Sequence, residues 1–580
     1  MPEDAILRRQ WDALVLSVER PQVFYTYEWA LAVHRAYNAS LRPLVFLAYD
    51  EQNSLCGIAA LASDAGGNRV SFLGATTGDY CDFLSVPGQR SQFLRAVLGE
   101  LRSRGIGEIT LANLPADSLS VAALRQAARE SHYRCFMRTA YVCTQVSLDS
   151  LERRNEGKPV LPRKKMLRRF LNAMGRENPV RLDHLRSRNE LQAILPQFMQ
   201  AHVARFLATG RISNMARPER QLFLMELAKL LSENGWAVLT RMMSGDRVFA
   251  WNYGFQFQGT WFWYQPTFGS DLEKYSPGFC LLAKVIEEAA ENPALKVVDL
   301  GLGAEDYKDR FANRTRETLF VTLRASASAH YREIVRYRAS AMVKSSRELE
   351  AAVRSSMHKF ESARKYFRQR EAAGMLPRLA GVLRNLLWAK TEVLVYEWFE
   401  SVYPQTGEVQ IRPLALDHLA TAAMEYADDE KTLAYLLRAA RRLTSEPVEG
   451  FVLVDHEGRP LHFAWHTRFD GFVLPELKAR VEASSTEDVL LFDCWTPAAK
   501  RGRGHYAQAV ELIAETMKAS GKRPWIFSPA ANVASVHGLA KAGFQRRYSL
   551  SRNRVLWWQN VTRHSPNWGE LPAQEASARI

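Results

Sequence analysis

Hydrophobic positions along this chain switch repeatedly between two spacings. Trp11, Leu14, Val15 and Val18 fall three to four apart, the period of one helix face, and Phe24-Tyr25-Thr26-Tyr27-Glu28-Trp29 leads into a second helix. Arg42–Tyr49 and Leu55–Leu61 are short apolar runs joined by the polar turn Asp50-Glu51-Gln52-Asn53-Ser54, which predicts two paired strands. The run Val70–Gly74 leads into Gly78-Asp79-Tyr80-Cys81-Asp82-Phe83. A helix over Gln92–Ser103 and a strand over Glu108–Leu111 complete an α/β alternation.

The same order returns twice. Helices near Glu190–Ala208 and Pro218–Glu233 precede strands over Trp236–Met243, Arg247–Phe257 and Gly259–Tyr264. Tyr275-Ser276-Pro277-Gly278 then opens a helix that runs through Ala290, and the strand Val297–Leu300 ends in Gly301-Leu302-Gly303. Further on, Asp488–Trp495 has the length and composition of a buried strand. It is followed by the basic glycine turn Arg501-Gly502-Arg503-Gly504-His505-Tyr506 and a helix over Ala507–Ser520. Strand, glycine turn and helix suit a phosphorylated cofactor. Glycine lets the backbone come close, free N–H groups at the helix start face the anion, and the arginines add charge.

That loop, with Asn532-Val533-Ala534-Ser535 and Gly543-Phe544 after it, resembles the acetyl-CoA site of GNAT-family acyltransferases over roughly Gln410–Trp558. The pattern departs at two positions. Tyr506 stands where the loop usually has a small residue, and Leu539 stands where a tyrosine acid is frequent. The first two repeats, through Phe24-x-Tyr-x-Glu28-Trp29, Gly78-Asp79-Tyr80-x-Asp82-Phe83, Tyr275-Ser276-Pro277-Gly278 and Asp299-x-Gly301-x-Gly303-x-x-x-Tyr307-Lys308, resemble the tandem-GNAT family around the cellulose-biosynthesis protein CelD/BcsL, itself related to FemA/FemX transferases. The resemblance implies an α/β (α+β) chain of three GNAT-like units, each a mixed, mainly antiparallel sheet flanked by helices. The expected boundaries are 1–150, 151–325, a basic helical arm or linker over 326–400, a C-terminal GNAT domain over 401–565 and a flexible tail over 566–580.

Composition narrows the partners. The 580 residues carry 77 Lys+Arg against 62 Asp+Glu, a formal charge of +15, which favours anionic partners such as CoA, RNA or an acidic membrane face. Much of the excess sits in Arg163-Lys164-Lys165-Met166-Leu167-Arg168-Arg169 and between Arg332 and Lys390. There Tyr331, Ile334, Val335, Arg338, Met342 and Leu349 recur at helical spacing. That arm is open to three readings: packing between units, binding tRNA, or lying on a membrane surface. The six cysteines are scattered without ligand spacing, so neither a disulfide framework nor a metal site is expected. The polar start Met1-Pro2-Glu3-Asp4 and the lack of an eighteen-residue apolar run predict a cytoplasmic protein without a membrane span. Nucleophile-elbow, His-Glu-x-x-His and Walker A patterns are missing, which removes those hydrolase and nucleotide-triphosphatase classes.

The candidate chemistry follows from these motifs. Ser276 and Gly278 form either an anion-suited helix entry or a plain cap. Asp299 is a cleft base or a strand-to-loop turn, and Tyr307 and Lys308 are a proton donor and oxyanion partner or an exposed helix start. Asp493 lies on the strand where GNAT enzymes often place a base. Arg501, Gly502, Arg503, Gly504, His505, Tyr506 and Asn532 are the expected cofactor contacts. Asp79, Asp82, His202, Tyr264 and Tyr275 are candidates for substrate contact or for structural roles. The function these imply is acyl transfer from acetyl-CoA or a longer acyl-CoA to an amine or hydroxyl of a sugar, cell-envelope precursor or small metabolite. Two alternatives stay open: a FemX-like transferase drawing on aminoacyl-tRNA, and a non-catalytic CoA-binding regulator of polysaccharide synthesis.

Overall fold

The computed structural model describes residues 4–64, 66–152, 159–303, 305–344, 388–400, 409–446, 448–469, 471–481, 483–555 and 558–565. The chain divides into two compact units, Met1–Arg205 with Arg217–Ser355, and Phe206–Ala216 with Ser356–Ile580. Most of the basic arm and the C-terminal tail lie outside the described residues.

In the first unit the helices are α1 (Ala5–Ser17), α2 (Tyr27–Tyr37), α3 (Arg90–Ser103), α4 (Ser120–Glu130), α5 (Lys164–Met174), α6 (Arg188–Ala208), α7 (Pro218–Ser232), α8 (Pro277–Glu291), α9 (Asp306–Asp309) and α10 (Ala327–Lys344). The strands are β1 (Arg42–Tyr49), β2 (Leu55–Ser63), β3 (Arg69–Phe72), β4 (Leu84–Ser85), β5 (Glu108–Pro115), β6 (Arg134–Ser147), β7 (Arg181–Leu185), β8 (Ala237–Ser244), β9 (Arg247–Phe257), β10 (Thr260–Phe268), β11 (Val297–Asp299) and β12 (Arg314–Arg324). Polar caps fix the starts of α1 and α2. Asp4 accepts from the Ile6 and Leu7 amides, and Thr26 accepts from that of Trp29.

The two GNAT-like halves of this unit do not keep separate sheets. All twelve strands join one sheet in the order β1-β2-β3-β5-β12-β6-β11-β10-β9-β8-β7, with β4 on β2. The halves exchange their last strands: β12 pairs with β5 of the first half, and β6 pairs with β11 of the second. The exchange makes one continuous sheet of the two halves, joined where β11 meets β6 over Gln145–Ser147. The Phe24…Trp29 motif lies at the seam. The Trp29 ring meets Phe24 at 4.7 Å, Phe255 at 5.4 Å and Phe223 at 5.5 Å, while Glu28, fully buried, accepts from Arg8 and Asn234.

The second unit holds β13 (Trp388–Trp398), β14 (Val409–Pro413), α11 (Leu416–Glu425), α12 (Glu430–Ser445), β15 (Glu449–Asp455), β16 (Pro460–Arg468), β17 (Phe472–Leu474), β18 (Ala479–Val481), β19 (Asp488–Trp495), α13 (His505–Ala519), β20 (Arg523–Pro529), α14 (Val533–Lys541), β21 (Phe544–Val555) and β22 (Trp558–His564). Its main sheet runs β14-β15-β16-β19-β20-β13-β21-β22, and β17–β18 is a separate hairpin. The largely helical arm or linker expected over 326–400 is corrected at its end, because Trp388–Trp398 is a strand inserted between β20 and β21. The β-branched and aromatic run Thr391–Tyr396 suits the pleat, and its partners lie more than 120 residues later, beyond the reach of local periodicity.

Candidate active site

Both units contain the same local device, a bulged strand beside a parallel neighbour. In the second unit β19 and β20 pair in parallel only from Asp488↔Arg523 to Leu491↔Ile526. On the other side of β19 the register slips, with Trp465 opposite Phe492 and Phe463 opposite Trp495, and Asp493 takes a left-handed φ of 48°. A bulge re-aims the strand and ends its pairing. The two strands diverge there, and a cleft of about 1080 Å³ opens between them. It is lined by Phe492–Thr496 of β19 and its exit, Ile526–Pro529 of β20, the 500–507 loop and the face of α14.

The predicted cofactor residues converge on this cleft. Gly502 (φ 75°) and Gly504 (φ 83°) both adopt conformations that favour glycine, and an added Cβ on either would meet open space. Gly504 starts α13 without any side-chain cap, so the first-turn N–H groups are left for a ligand. Arg501 is braced by the Thr496 carbonyl at 3.0 Å and by the Trp495 ring, while Arg503 is exposed. Asn532 caps α14 by accepting from the Ser535 amide. The Tyr506 ring lies against Gly538, and its hydroxyl meets Ser535 Oγ at 2.9 Å; burial pushes its pKa up. Leu539, in the family's usual acid position, is fully buried in the core.

Two buried ring nitrogens on this cleft lack partners: Nε2 of His462 and Nδ1 of His505. Burial lowers the pKa of both, that of His462 to about 3, so both rings are neutral at pH 7. A glycine loop with open approach, an uncapped helix start, cationic walls and orphaned buried nitrogens fit a pyrophosphate-bearing ligand such as CoA. Asp493, the expected base, lies at the bulge of β19 on this cleft. Its carboxylate is ion-paired with Arg442 at 2.6 Å, and Arg442 also reaches Glu446.

In the first unit β10 and β11 pair in parallel through Phe262↔Asp299, and β10 bulges between Phe262 and Gln265. Here the opening is filled from within the chain. The Tyr264 hydroxyl donates to the Thr77 carbonyl, and Tyr80 donates to Asp299 at 2.9 Å. The Asp79 carboxyl packs so close to Gly301 that an added Cβ there would lie 2.7 Å from it. The structure therefore brings Asp79 and Asp299 together from different halves and leaves Asp82 elsewhere, bonded to Ser118 and the Phe83 amide. Asp299 is buried, accepting from Tyr80, Gln145 and the Gly301 amide. Burial raises the pKa of Asp299, and burial followed by repulsion from Asp299 pushes Asp79 up to about 7.

The remaining candidates disperse. Lys308 is buried and donates to the Leu302 carbonyl, while Tyr307 packs partly buried against the core, its pKa raised by burial. Tyr264 is tied to Arg220 in the interior. His202 is buried beside Phe198 and pushed down to about 3 by burial and nearby arginines. Tyr275 stacks edge-on with Phe170. Ser276 does not cap α8 with its side chain; it sits in a left-handed conformation, and the Phe268 ring covers Gly278. Sequence reading missed Gln145, Arg442, His462 and Glu476. His462, polar within the apolar stretch Leu461–Trp465, was the available signal; Gln145, on a strand rich in polar residues, Arg442 and Glu476 gave none. Among the described residues no group of three or more His, Cys, Asp or Glu is arranged to hold a metal ion, and no helix is long and apolar enough to cross a membrane.

Residues 162–309 match the acetyltransferase (GNAT) domain model, which places Ser276, Asp299 and Lys308 within that domain. No curated protein shows significant sequence similarity to the chain. Among solved structures, FemX is 10% identical over 55% of this chain and 97% of its own, with a TM-score of 0.38. A tandem GNAT protein from the clavulanic acid biosynthesis pathway is 13% identical over 56% and 96%, at 0.33. The L-PGS of Bacillus licheniformis is 11% identical over 52% and 95%, at 0.34. Likenesses this distant say nothing about substrate. The matched domain and the layered sheets make this a chain with GNAT-like architecture.

Proposed function

We propose that the chain is an acyl-CoA-dependent acyltransferase whose CoA is held in the cleft of the second unit. The observation that carries this reading is the contrast between the two bulged strand pairs. One is plugged by Thr77–Tyr80, and the other opens onto an uncapped helix start behind two left-handed glycines. In this reading the pyrophosphate lies on the first turn of α13 and the thioester points toward the bulge at Asp493. CoA supplies the activated acyl group. The protein's part is to hold it so that an amine or hydroxyl nucleophile attacks the carbonyl directly.

In this reading Asp299, Tyr307 and Lys308 brace the first unit and take no part in the transfer. Both oxygens of Asp299 are already bonded, so it orders the Gly301–Gly303 turn rather than taking a proton from a substrate. The CelD/BcsL-like motifs support an acceptor drawn from sugars, cell-envelope precursors or small metabolites. Titration calorimetry with CoA tests the assignment. Arg503→Glu reverses an exposed charge on the loop without touching the core, and it should weaken CoA binding by about tenfold, the effect of one charge-assisted contact. Unchanged affinity would remove CoA from this loop.

A further inference from the structure

Helix α5 of the first unit carries charge that its own fold does not use. Its inner face is apolar and settled: Leu167, Phe170 and Met174 are buried in the core, and the Phe170 ring meets Tyr275 at 6.1 Å. Its outer face holds Lys164, Lys165, Arg168 and Arg169, all exposed, with Arg163 exposed at the N-cap position. None of the five forms an ion pair among the described residues; Arg169 lies over the neighbouring Phe170 ring at 5.2 Å.

The arrangement works against the helix. Lys164 and Arg168, and Lys165 and Arg169, are four residues apart, so like charges face each other along one side. They also stand on the first two turns, at the positive end of the helix dipole, and no acid occupies the first turn to offset them. Arg163, in a left-handed conformation with φ 52°, gives no side-chain cap. The surroundings do not neutralise the stripe. On the turn packed against α5, residues 270–275, Asp271 pairs with Arg247, and Glu273 stands next to the exposed Lys274. On α8, Glu287 pairs with Lys284 and Glu288 with His184, which leaves Glu291 at the helix end. Glu177, the first acid after α5, adjoins the exposed Arg176. A ridge of like charge, about 16 Å long, is left facing solvent.

An anionic partner relieves both the repulsion and the dipole. A nucleic acid strand bound without regard to sequence lies in a cationic groove with aromatic rings stacked on its bases. The exposed face of α5 is a ridge instead, and the one aromatic residue of the helix, Phe170, is buried. A planar array of anionic headgroups meets every cation on such a ridge at once, with neither groove nor stacking. The apolar face is already spent on the core, so the contact is electrostatic and stays at the headgroup layer. We propose that the outer face of α5 docks the protein on a membrane surface of anionic lipid, through Arg163, Lys164, Lys165, Arg168 and Arg169. This surface does not rest on the CoA reading above.

Vesicle co-sedimentation of the full chain tests it, with vesicles of phosphatidylcholine alone or with about 30 mol % phosphatidylglycerol. The protein should bind only the anionic vesicles, and the affinity should fall steeply between about 50 and 300 mM salt as the charges are screened. At roughly fivefold per cation, Lys165→Gln with Arg169→Gln should bind about 25-fold more weakly. The same pair should melt no lower than wild type, because it relieves a like-charge contact, and this separates lost docking from lost folding. Lys518→Gln with Lys522→Gln, an equal change of net charge at exposed positions of the second unit, should keep the wild-type affinity. The proposal is overturned if the anionic vesicles are not bound at low salt, if both vesicle types bind alike, or if the two double variants lose affinity equally. An RNA duplex bound more tightly than the vesicles, and released by the α5 substitutions, would give the surface to nucleic acid and overturn it as well.

Discussion

Gly538 of α14 gives the sharpest test of how the cleft is built. An alanine Cβ there would lie 2.6 Å from Tyr506 Cδ1 and 2.9 Å from its Cε1, distances that real contacts do not reach. The ring must therefore leave its place, at an overpacking cost of about 1–3 kcal/mol. Its hydrogen bond to Ser535 goes with it, about another 1 kcal/mol. Against this, alanine is better than glycine inside a helix by about 1 kcal/mol. The net expectation for Gly538→Ala is a loss of about 1–3 kcal/mol. In a Tyr506→Ala background the clash and the hydrogen bond are already gone, so the same substitution should gain about 1 kcal/mol through helix propensity. The sign therefore reverses, with a coupling energy of about 2–4 kcal/mol. Differential scanning calorimetry of the four proteins measures it, at roughly 2–4 °C per kcal/mol for a domain of this size. A similar drop from Gly538→Ala in both backgrounds would refute the packing of Tyr506 on α14, and with it the shape assigned to the cleft.

Asp299→Asn should destabilise the first unit by about 2 kcal/mol or more in urea unfolding, because an amide N–H must face buried donors from Tyr80, Gln145 or Gly301. Asp493→Asn should cost less than about 1 kcal/mol, since asparagine tolerates a left-handed φ and Arg442 keeps Glu446; the reverse ranking would contradict both environments. For pH, Asp79 is raised from 3.8 to about 7, so the folded state holds its proton where the unfolded chain has released it. The stability this contributes is fully present below about pH 4 and is lost as pH rises through 7. Asp79→Asn should accordingly gain in melting temperature relative to wild type between pH 5 and pH 8, and a difference independent of pH would rule the assignment out.

Local spacing along the chain determined most of the elements. The 3.6-residue period marked α1, α3 and α7, and the short apolar runs marked β1, β2, β9 and β19, because each depends on residues a few positions apart. The glycine loop was equally legible, since left-handed turns and a helix start are written in adjacent residues. Tertiary structure alone decided what met at a distance. The exchange of β6 and β12 merged two expected sheets into one, and β13 left the arm to become an interior strand, because strand pairing is set by partners more than a hundred residues away. The same long-range placement put Asp79 against Gly301 and Arg442 on Asp493, and it left one oxygen of Glu476 buried and unpaired. Whether a carboxylate is a base, a brace or an anchor depends on the burial and partners it acquires only once the sheets have closed.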